Sequence, residues 1–280
     1  MAYLPRERNA YETPALLSRP LDLSRLNAEL IAFLAVVVLS VLAHLYNLGH
    51  MALHHDESIH AWMSWKFLTG NGGFTCYGGR TAPTYCYEPT YHGPSLYIFT
   101  LASYFLFGDG NWQARLPQAL AGIGMVASVW MLRPYLGRSG TLTAALLLGF
   151  APTLLYYTRF ARHDGLILLW TLWIVIGFFR FLDTGKARFL YLLGAGIALA
   201  IATHELYYIL FFIFGWFLLL RAAFELLPRR TTVIALAVIM GLALVVEILN
   251  PRITATVRAG GMALLFLTTA GLGLLMTRVW

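Results

Sequence analysis

Two adjacent carboxylates flanked by histidines follow the first strongly apolar run of the sequence, in the order His54, His55, Asp56 and Glu57. Charged groups this close to a bilayer are costly unless they face water, other protein groups or a ligand. An ionisable cluster in this place is therefore a candidate for chemistry. We interpret it as the centre of an active site.

The residues after this acidic pair predict an amphipathic helix at the membrane surface. Apolar side chains recur there at helical spacing, at Ile59, Trp62, Met63 and Phe67. Asp56 would stand at the start of that helix. A structural interpretation is therefore equally open, in which Asp56 caps the helix and Glu57 stabilises the helix dipole from the first turn.

The segment from Tyr87 to Pro94 carries two more side chains able to do chemistry, Glu88 and His92. They can bind a metal ion or support the first carboxylate. Two ligands are too few to define a site, because structural zinc usually takes four. The sequence thus leaves undecided whether Glu88 and His92 bind a metal ion.

A third polar segment, residues 156–164, places Arg159, Arg162 and Asp164 within six positions. A turn between two membrane helices does not need two arginines on the outer side. The guanidinium group is planar and always charged, and it binds phosphate with two parallel hydrogen bonds. Arg159 and Arg162 therefore suit a lipid-linked phosphate, unless Arg162 and Asp164 only pair with each other and cap the next helix.

A fourth polar feature, His204 and Glu205, interrupts a nearly continuous apolar stretch from Phe189 to Leu220. These two residues mark a helix corner at the outer surface. They either contact the same site as the other motifs or only end one helix and start the next.

The composition excludes a soluble domain. Of the 280 residues, 59% are hydrophobic and only 12% are charged, and the mean hydropathy is +0.68. These values predict an all-α polytopic membrane protein. The net charge of +7 does not indicate nucleic-acid binding, because the Lys and Arg residues lie in short loops where membrane topology explains them.

The topology depends on one short apolar segment, residues 94–108. If it lies in the interface without crossing, three loops with eight Lys and Arg residues fall on the cytoplasmic side with the basic tail. This predicts a cytoplasmic tail at 1–28 and one transmembrane domain at 29–280, with about eight spanning helices and both termini cytoplasmic. The outer face then carries the long loop at 50–112, with its juxtamembrane helices, and residues 157–164, 203–205 and 250–258.

The two cysteines, Cys76 and Cys86, fall in this outer loop about ten residues apart. An oxidising compartment favours a disulfide between them, with a modest gain of about 2–3 kcal/mol by the chain-entropy argument. The alternative is two free thiols. Mass spectrometry without reductant distinguishes the two states.

The order of these motifs resembles that of the GT-C membrane glycosyltransferases, in particular the protein O-mannosyltransferases and lipid A aminoarabinose transferases. The resemblance covers residues from about 48 to 227. It is carried by Asp56-Glu57, Tyr87-Glu88-Pro89, Phe107-Gly108-Asp109, Trp112, Arg115-Leu116-Pro117 and the segment from Arg159 to Asp164. Related enzymes are usually longer, so this chain would be a short or truncated member.

The resemblance implies an inverting glycosyltransferase that uses a polyprenyl-phosphate-linked sugar at the outer face of a prokaryotic cytoplasmic membrane. It places catalysis on Asp56, Glu57 and Asp164, and in the aminoarabinose transferases a residue corresponding to Glu88 helps to bind a metal. A divalent metal is optional, because polyprenyl phosphate leaves without protonation.

For this reaction we assign Asp56 as the base, Glu57 and Asp164 as orienting groups, and Arg159 and Arg162 as the phosphate clamp. The supporting residues of this hypothesis are His55, Glu88, His92, His204 and Glu205. The alternative is a non-catalytic GT-C scaffold, a structural subunit with integral membrane protein partners.

Overall fold

The computed structural model describes residues 27–70 and 92–226, together with two short strands at 74–75 and 81–82. Nine α-helices occur in these ranges: α1 (Ala28–Leu45), α2 (His55–Thr69), α3 (Ser95–Phe107), α4 (Asn111–Ser128), α5 (Arg133–Phe150), α6 (Pro152–Tyr157), α7 (Asp164–Thr184), α8 (Ala187–Ile201) and α9 (Tyr207–Leu226). A 3-10 turn, Val129–Leu132, joins α4 to α5. The strands β1 (Phe74–Thr75) and β2 (Thr81–Ala82) pair in antiparallel fashion.

Three stretches within the described ranges are long and apolar enough to cross a membrane: Ala28–Leu45, Asn111–Phe150 and Asp164–Thr184. The last of these is α7, whose 21 residues span about 31 Å at about 1.5 Å per residue, close to the thickness of a hydrocarbon core. By the same rise α3, with 13 residues, is about 20 Å long. Its length agrees with a helix that enters the membrane without crossing it.

Helix α1 is fixed at both ends by side chains. At its start the side chain of Asn27 accepts a hydrogen bond from the Leu30 N–H at 2.9 Å, which satisfies one of the free donors of the first turn. At its end the buried His44 contacts the Ser40 carbonyl at 2.8 Å and the Thr158 hydroxyl at 3.0 Å. His44 thus joins α1 to the segment between α6 and α7.

Small residues let α7 and α8 pack closely. A Cβ atom on Gly177 would lie 2.7 Å from the Leu193 backbone nitrogen, and one on Gly196 would lie 3.1 Å from the Trp170 carbonyl oxygen. Close approach of backbones through small residues is a main source of attraction between helices in lipid. This packing holds the start of α7 beside the end of α8.

The structure corrects the predicted start of α2. The N-cap is His54, not Asp56: the His54 ring accepts a hydrogen bond from the Asp56 N–H, and the His54 N–H donates to the Glu57 carboxylate, as in a capping box. Asp56 therefore lies inside the first turn, with its carboxylate available for other contacts. The predicted helix after the acidic pair is present, but its buried face is not the expected apolar stripe. Met63 is buried together with the polar Glu57, His60 and Ser64, whereas Trp62 is exposed.

Some predictions lie outside the described residues. These are the Cys76–Cys86 disulfide, the metal role of Glu88, residues 1–26 of the tail predicted at 1–28, the outer segment at 250–258, and the spans at about 231–249 and 260–276. They stay predictions.

Candidate active site at the start of α7

Glu57 anchors the site from the first turn of α2. Its carboxylate is fully buried, and both of its oxygens accept hydrogen bonds from Arg115, at 2.7 Å each. The backbone N–H groups of Ala161 and His54 donate to it at 2.8 and 2.9 Å. Burial alone would raise the pKa of Glu57, but these hydrogen bonds outweigh it and hold the pKa below its ordinary value.

Arg115 completes this anchor from α4. Besides the two bonds to Glu57, its guanidinium donates to the carbonyl oxygens of Leu48, Met51 and Ala52 at 2.9–3.0 Å. All five guanidinium N–H groups therefore have partners. One buried ion pair thus joins the α1–α2 link, α2, α4 and the turn before α7.

Asp56, the neighbour of Glu57, turns toward the surface and meets Arg162. An Arg162 Nη1 atom lies 3.3 Å from Asp56 Oδ2, and Arg162 Nε lies 3.4 Å from Asp164 Oδ2. The three side chains are partly exposed, at 33% for Arg162, 42% for Asp56 and 30% for Asp164. One arginine is thus shared by two accessible carboxylates at ion-pair distance.

Arg159 and His55 take other positions. Arg159 donates through Nη2 to the Tyr46 carbonyl at 2.5 Å, at the end of α1. His55 is exposed at the first position of α2. The structure therefore brings Asp56, Arg162 and Asp164 together, whereas Arg159 bonds to the end of α1 and His55 is exposed.

Three histidines from distant parts of the sequence meet next to Asp164. The ring centroids of His92, His163 and His204 lie 4.1–4.4 Å apart. Each ring offers one nitrogen such that the three atoms lie within 4.8 Å of one another, so the cluster can hold a metal ion. The Nδ1 atom of His92 also bonds to Glu205 at 2.6 Å.

Backbone contacts position this cluster. The Gly93 N–H donates to the Thr203 carbonyl at 3.1 Å, and the Ser95 N–H donates to the Ala202 carbonyl at 2.9 Å. A Cβ on Gly93 would lie 2.2 Å from the Ala202 oxygen, so only glycine allows this approach. The start of α3 therefore docks on the corner between α8 and α9.

Burial and neighbouring positive charge lower the pKa of His60, His163 and His204. Burial, with the other imidazoles and Arg162 nearby, lowers the pKa of His163 to about 2. Burial, with His92 and Arg162, lowers the pKa of His60 to about 4, although the Asp56 carboxylate raises it. The pKa of His204 is lowered mainly by burial as well. Neutral imidazoles are the form that binds metal ions.

An apolar groove begins beside this polar group. It has a volume of about 340 Å³ and is lined by side chains of α3, α4 and α7, among them Phe99, Leu106, Leu116, Leu120, Leu169 and Trp170. Leu166, two residues after Asp164, also lines the groove. The groove therefore starts within the first turn of α7, the helix that begins at Asp164.

Sequence reasoning identified Asp56, Arg162 and Asp164 but did not assign roles to Arg115, His60 or His163. Arg115 stood in a recognised motif, and His163 lies between Arg162 and Asp164. No spacing in the sequence indicates that His163 is buried against His92 and His204. Only the fold places these rings together.

The fold and the apolar helices define an integral membrane protein of the GT-C class. The structure is similar to the crystal structure of ArnT from Cupriavidus metallidurans bound to undecaprenyl phosphate, with a TM-score of 0.55 and 19% sequence identity. The match covers 80% of this chain and 42% of ArnT, so the chain spans less than half the length of that protein. No curated protein sequence matches the chain significantly.

The sequence itself gives the family. The profile of the dolichyl-phosphate-mannose-protein mannosyltransferases matches residues 91–249, more than half of the chain. The chain belongs to this family. The GT-C resemblance carried by the motifs is therefore confirmed.

Proposed function

We propose that this protein transfers a sugar from a polyprenyl-phosphate donor to an acceptor hydroxyl, with inversion at the anomeric carbon, at the outer face of the membrane. The observation that carries the proposal is the position of Arg162, shared by Asp56 and Asp164 beside an apolar groove. A donor with a phosphate head and a long apolar tail matches both parts of this site.

The chemistry needs a base at the acceptor and a positive charge at the departing phosphate. Asp56 is the more exposed carboxylate, and as the base it takes the proton of the acceptor hydroxyl. The acceptor oxygen then bonds to the anomeric carbon while the bond from that carbon to the phosphate oxygen breaks. The released polyprenyl phosphate carries the negative charge, which Arg162 stabilises.

The remaining residues of the hypothesis support these two. Glu57 is a positioning residue, because its buried carboxylate fixes the turn of helix that carries Asp56. Asp164 orients Arg162 from the first turn of α7. Arg159 adds positive charge three residues before Arg162, since the Tyr46 carbonyl takes only one of its donors.

The distribution of basic residues supports an outer site. Arg133, Arg180 and Arg188 line one pocket near the end of α7. Arg138 follows the kink at Gly137 in α5, and Lys186 lies in the link between α7 and α8. Asp164 stands at the opposite end of the same helix. Because basic loops favour the cytoplasmic side, the Asp56–Arg162–Asp164 group falls on the outer side.

The test uses the full chain, purified with its native lipids and partners and supplied with radiolabelled polyprenyl-phosphate sugars. The Asp56→Asn variant should lose about 10²–10⁴-fold of sugar release or transfer, the usual contribution of a general base. Asp183→Asn is the matched control, because Asp183 lies near the other end of α7 and bonds to Tyr135. The anomeric configuration of the product, read by NMR, tests inversion.

Two results contradict this function. One is equal turnover by the wild type and Asp56→Asn. The other is no turnover with any donor while a partner protein copurifies in fixed ratio, which favours the non-catalytic scaffold subunit.

A further inference from the structure

The three clustered histidines point to a metal centre that the transferase chemistry does not require. We propose that His92, His163 and His204 bind one zinc-like transition-metal ion, which ties together three segments of the outer side. The segments are the start of α3, the start of α7 and the corner between α8 and α9. The proposal does not depend on the transferase function.

His163 gives the strongest reason. Its side chain is only 2% exposed, and both of its ring nitrogens are buried without a hydrogen-bond partner among the described residues. Buried polar atoms are nearly always paired, and an imidazole left without a partner is costly. A metal ion bound to one of these nitrogens gives that nitrogen the partner that it lacks.

The geometry suits a small tetrahedral ion. The three nitrogens lie within 4.8 Å of one another. Zinc–nitrogen bonds of about 2.1 Å would place them about 3.4 Å apart. Binding one ion therefore requires the rings, whose centroids lie 4.1–4.4 Å apart, to turn their nitrogens toward a common point. The rings come from three separate segments, so they can converge on one ion.

A neighbouring carboxylate prepares one of the ligands. Glu205 lies 2.6 Å from Nδ1 of His92, which leaves Nε2 as the free lone pair. A carboxylate on the outer nitrogen of a metal-binding histidine is a common supporting contact. His204 accepts a 3.1 Å hydrogen bond from the Leu206 N–H at Nδ1, and coordination through that atom would replace this bond.

The backbone at His92 also indicates a constrained position. His92 has φ +61°, a left-handed conformation that non-glycine residues adopt uncommonly. The next residue, Gly93, is pressed against the Ala202 carbonyl. The chain is thus held where the His92 ring meets His163 and His204.

The ligand types select the metal. Three imidazoles favour Zn²⁺ or a similar first-row ion, whereas Mg²⁺ and Ca²⁺ prefer oxygen ligands. Three protein ligands leave a fourth tetrahedral position for water or another group. This set shares only His92 with the pair expected from the sequence, Glu88 and His92.

The ion would stabilise the neighbouring charged group. His163 lies directly between Arg162 and Asp164 in the chain, so fixing its ring fixes the turn that presents them. The metal would thus act as a structural clamp behind the Asp56–Arg162–Asp164 group. Its loss should loosen that turn.

The first experiment measures metal content in the full chain, purified through a tag without histidines. We expect about one zinc per wild-type chain by mass spectrometry of the elements. His163→Gln and His92→Gln should lose at least tenfold of this metal, whereas His50→Gln, a change at an exposed histidine, should keep it. Retention of metal by both cluster variants would overturn the proposal. So would a result in which Glu88→Gln loses the metal and the two cluster variants keep it.

If the cluster variants fail to fold, a second measurement on the wild-type protein tests the site. The wild type is stripped with a chelator and titrated with Co²⁺, whose visible absorption reports tetrahedral nitrogen coordination, and Zn²⁺ should then displace it. Glu205→Gln, which keeps all three rings, should weaken Zn²⁺ affinity about 10–100-fold. A stripped wild type that binds neither ion would refute the site.

Discussion

The guanidinium of Arg115 donates hydrogen bonds to both carboxylate oxygens of Glu57 at 2.7 Å, although the two residues lie 58 positions apart in the chain. Glu57 is fully buried and Arg115 is 7% exposed. The neighbouring Asp56 is thereby fixed with its carboxylate toward Arg162. One residue of the acidic pair is thus structural, and the other is available for chemistry.

Glu57→Gln should strongly destabilise the protein. The amide would leave the buried Arg115 charge uncompensated, and breaking a buried ion pair from one side costs about 3–5 kcal/mol. Unfolding followed by tryptophan fluorescence in detergent measures the change. Glu225→Gln, which breaks the exposed Arg221–Glu225 pair on α9, should cost under about 1 kcal/mol. Equal losses in the two variants would contradict the role of Glu57.

The contribution of Glu57 to stability should depend on pH. Because the pKa of Glu57 is lower in the folded state, its contribution is fully present above its unfolded pKa of about 4.3 and is lost as pH falls through the folded value. The difference in melting temperature between wild type and Glu57→Gln should therefore stay constant from pH 7 down to about pH 4.3 and shrink at lower pH. A difference that stays constant below that pH as well would show that the charge of Glu57 does not matter.

Arg162→Gln should lower kcat by about 10²–10³-fold, the loss expected when one donor to a developing charge is removed. Arg162→Lys should recover only part of this rate, because lysine keeps the charge but lacks the planar fork that reaches Asp56 and Asp164. Steady-state kinetics, with the donor that the wild type uses, gives kcat for both variants. Arg138→Gln, a change in a residue with a 78% exposed side chain, is the control that should keep full activity.

Gly177→Ala and Gly194→Ala should have opposite effects. A methyl group on Gly177 would lie 2.7–2.9 Å from the backbone and Cβ of Leu193, so α7 and α8 must separate at a cost of about 1–3 kcal/mol. A methyl group on Gly194, also in α8, would meet no atom within 4 Å, and alanine there should gain up to about 1 kcal/mol. Thermal unfolding compares them, and equal effects would refute close packing at Gly177.

The predicted elements agree with the described part of the fold because the apolar runs are long. The runs at 165–182, 189–202 and 206–220 correspond to α7, α8 and α9. Most of the observed helix ends lie within a few residues of the predicted ends. The run at 112–135 was predicted as one helix. In the structure α4 passes through a 3-10 turn into α5, and Gly137, with a φ of +67°, interrupts the helical backbone of α5. A hydrophobic pattern records burial in lipid but does not record such backbone breaks.

The candidate site was predictable where neighbours in sequence are neighbours in space. Arg162 and Asp164 lie two positions apart, and their contact was foreseen as one alternative. The capping role of His54 was missed because histidine is an unusual N-cap, and Asp56 was expected there. The partners of Glu57 and His163 come from other helices, so their contacts depend on how the helices pack, which no local pattern specifies.

If the protein transfers sugar as proposed, the apolar groove should make its activity sensitive to the length of the donor's lipid. Ala102 lines the groove from α3, and Ala102→Phe would fill part of it. Excluding two or three methylene groups, at about 0.8 kcal/mol each, should raise KM for a long polyprenyl donor roughly 10–50-fold. A donor with a short chain, which ends before the groove, should keep its KM. Ala35→Phe, on the exposed face of α1, should change neither value. An equal rise in KM for both donors would place the tail outside this groove.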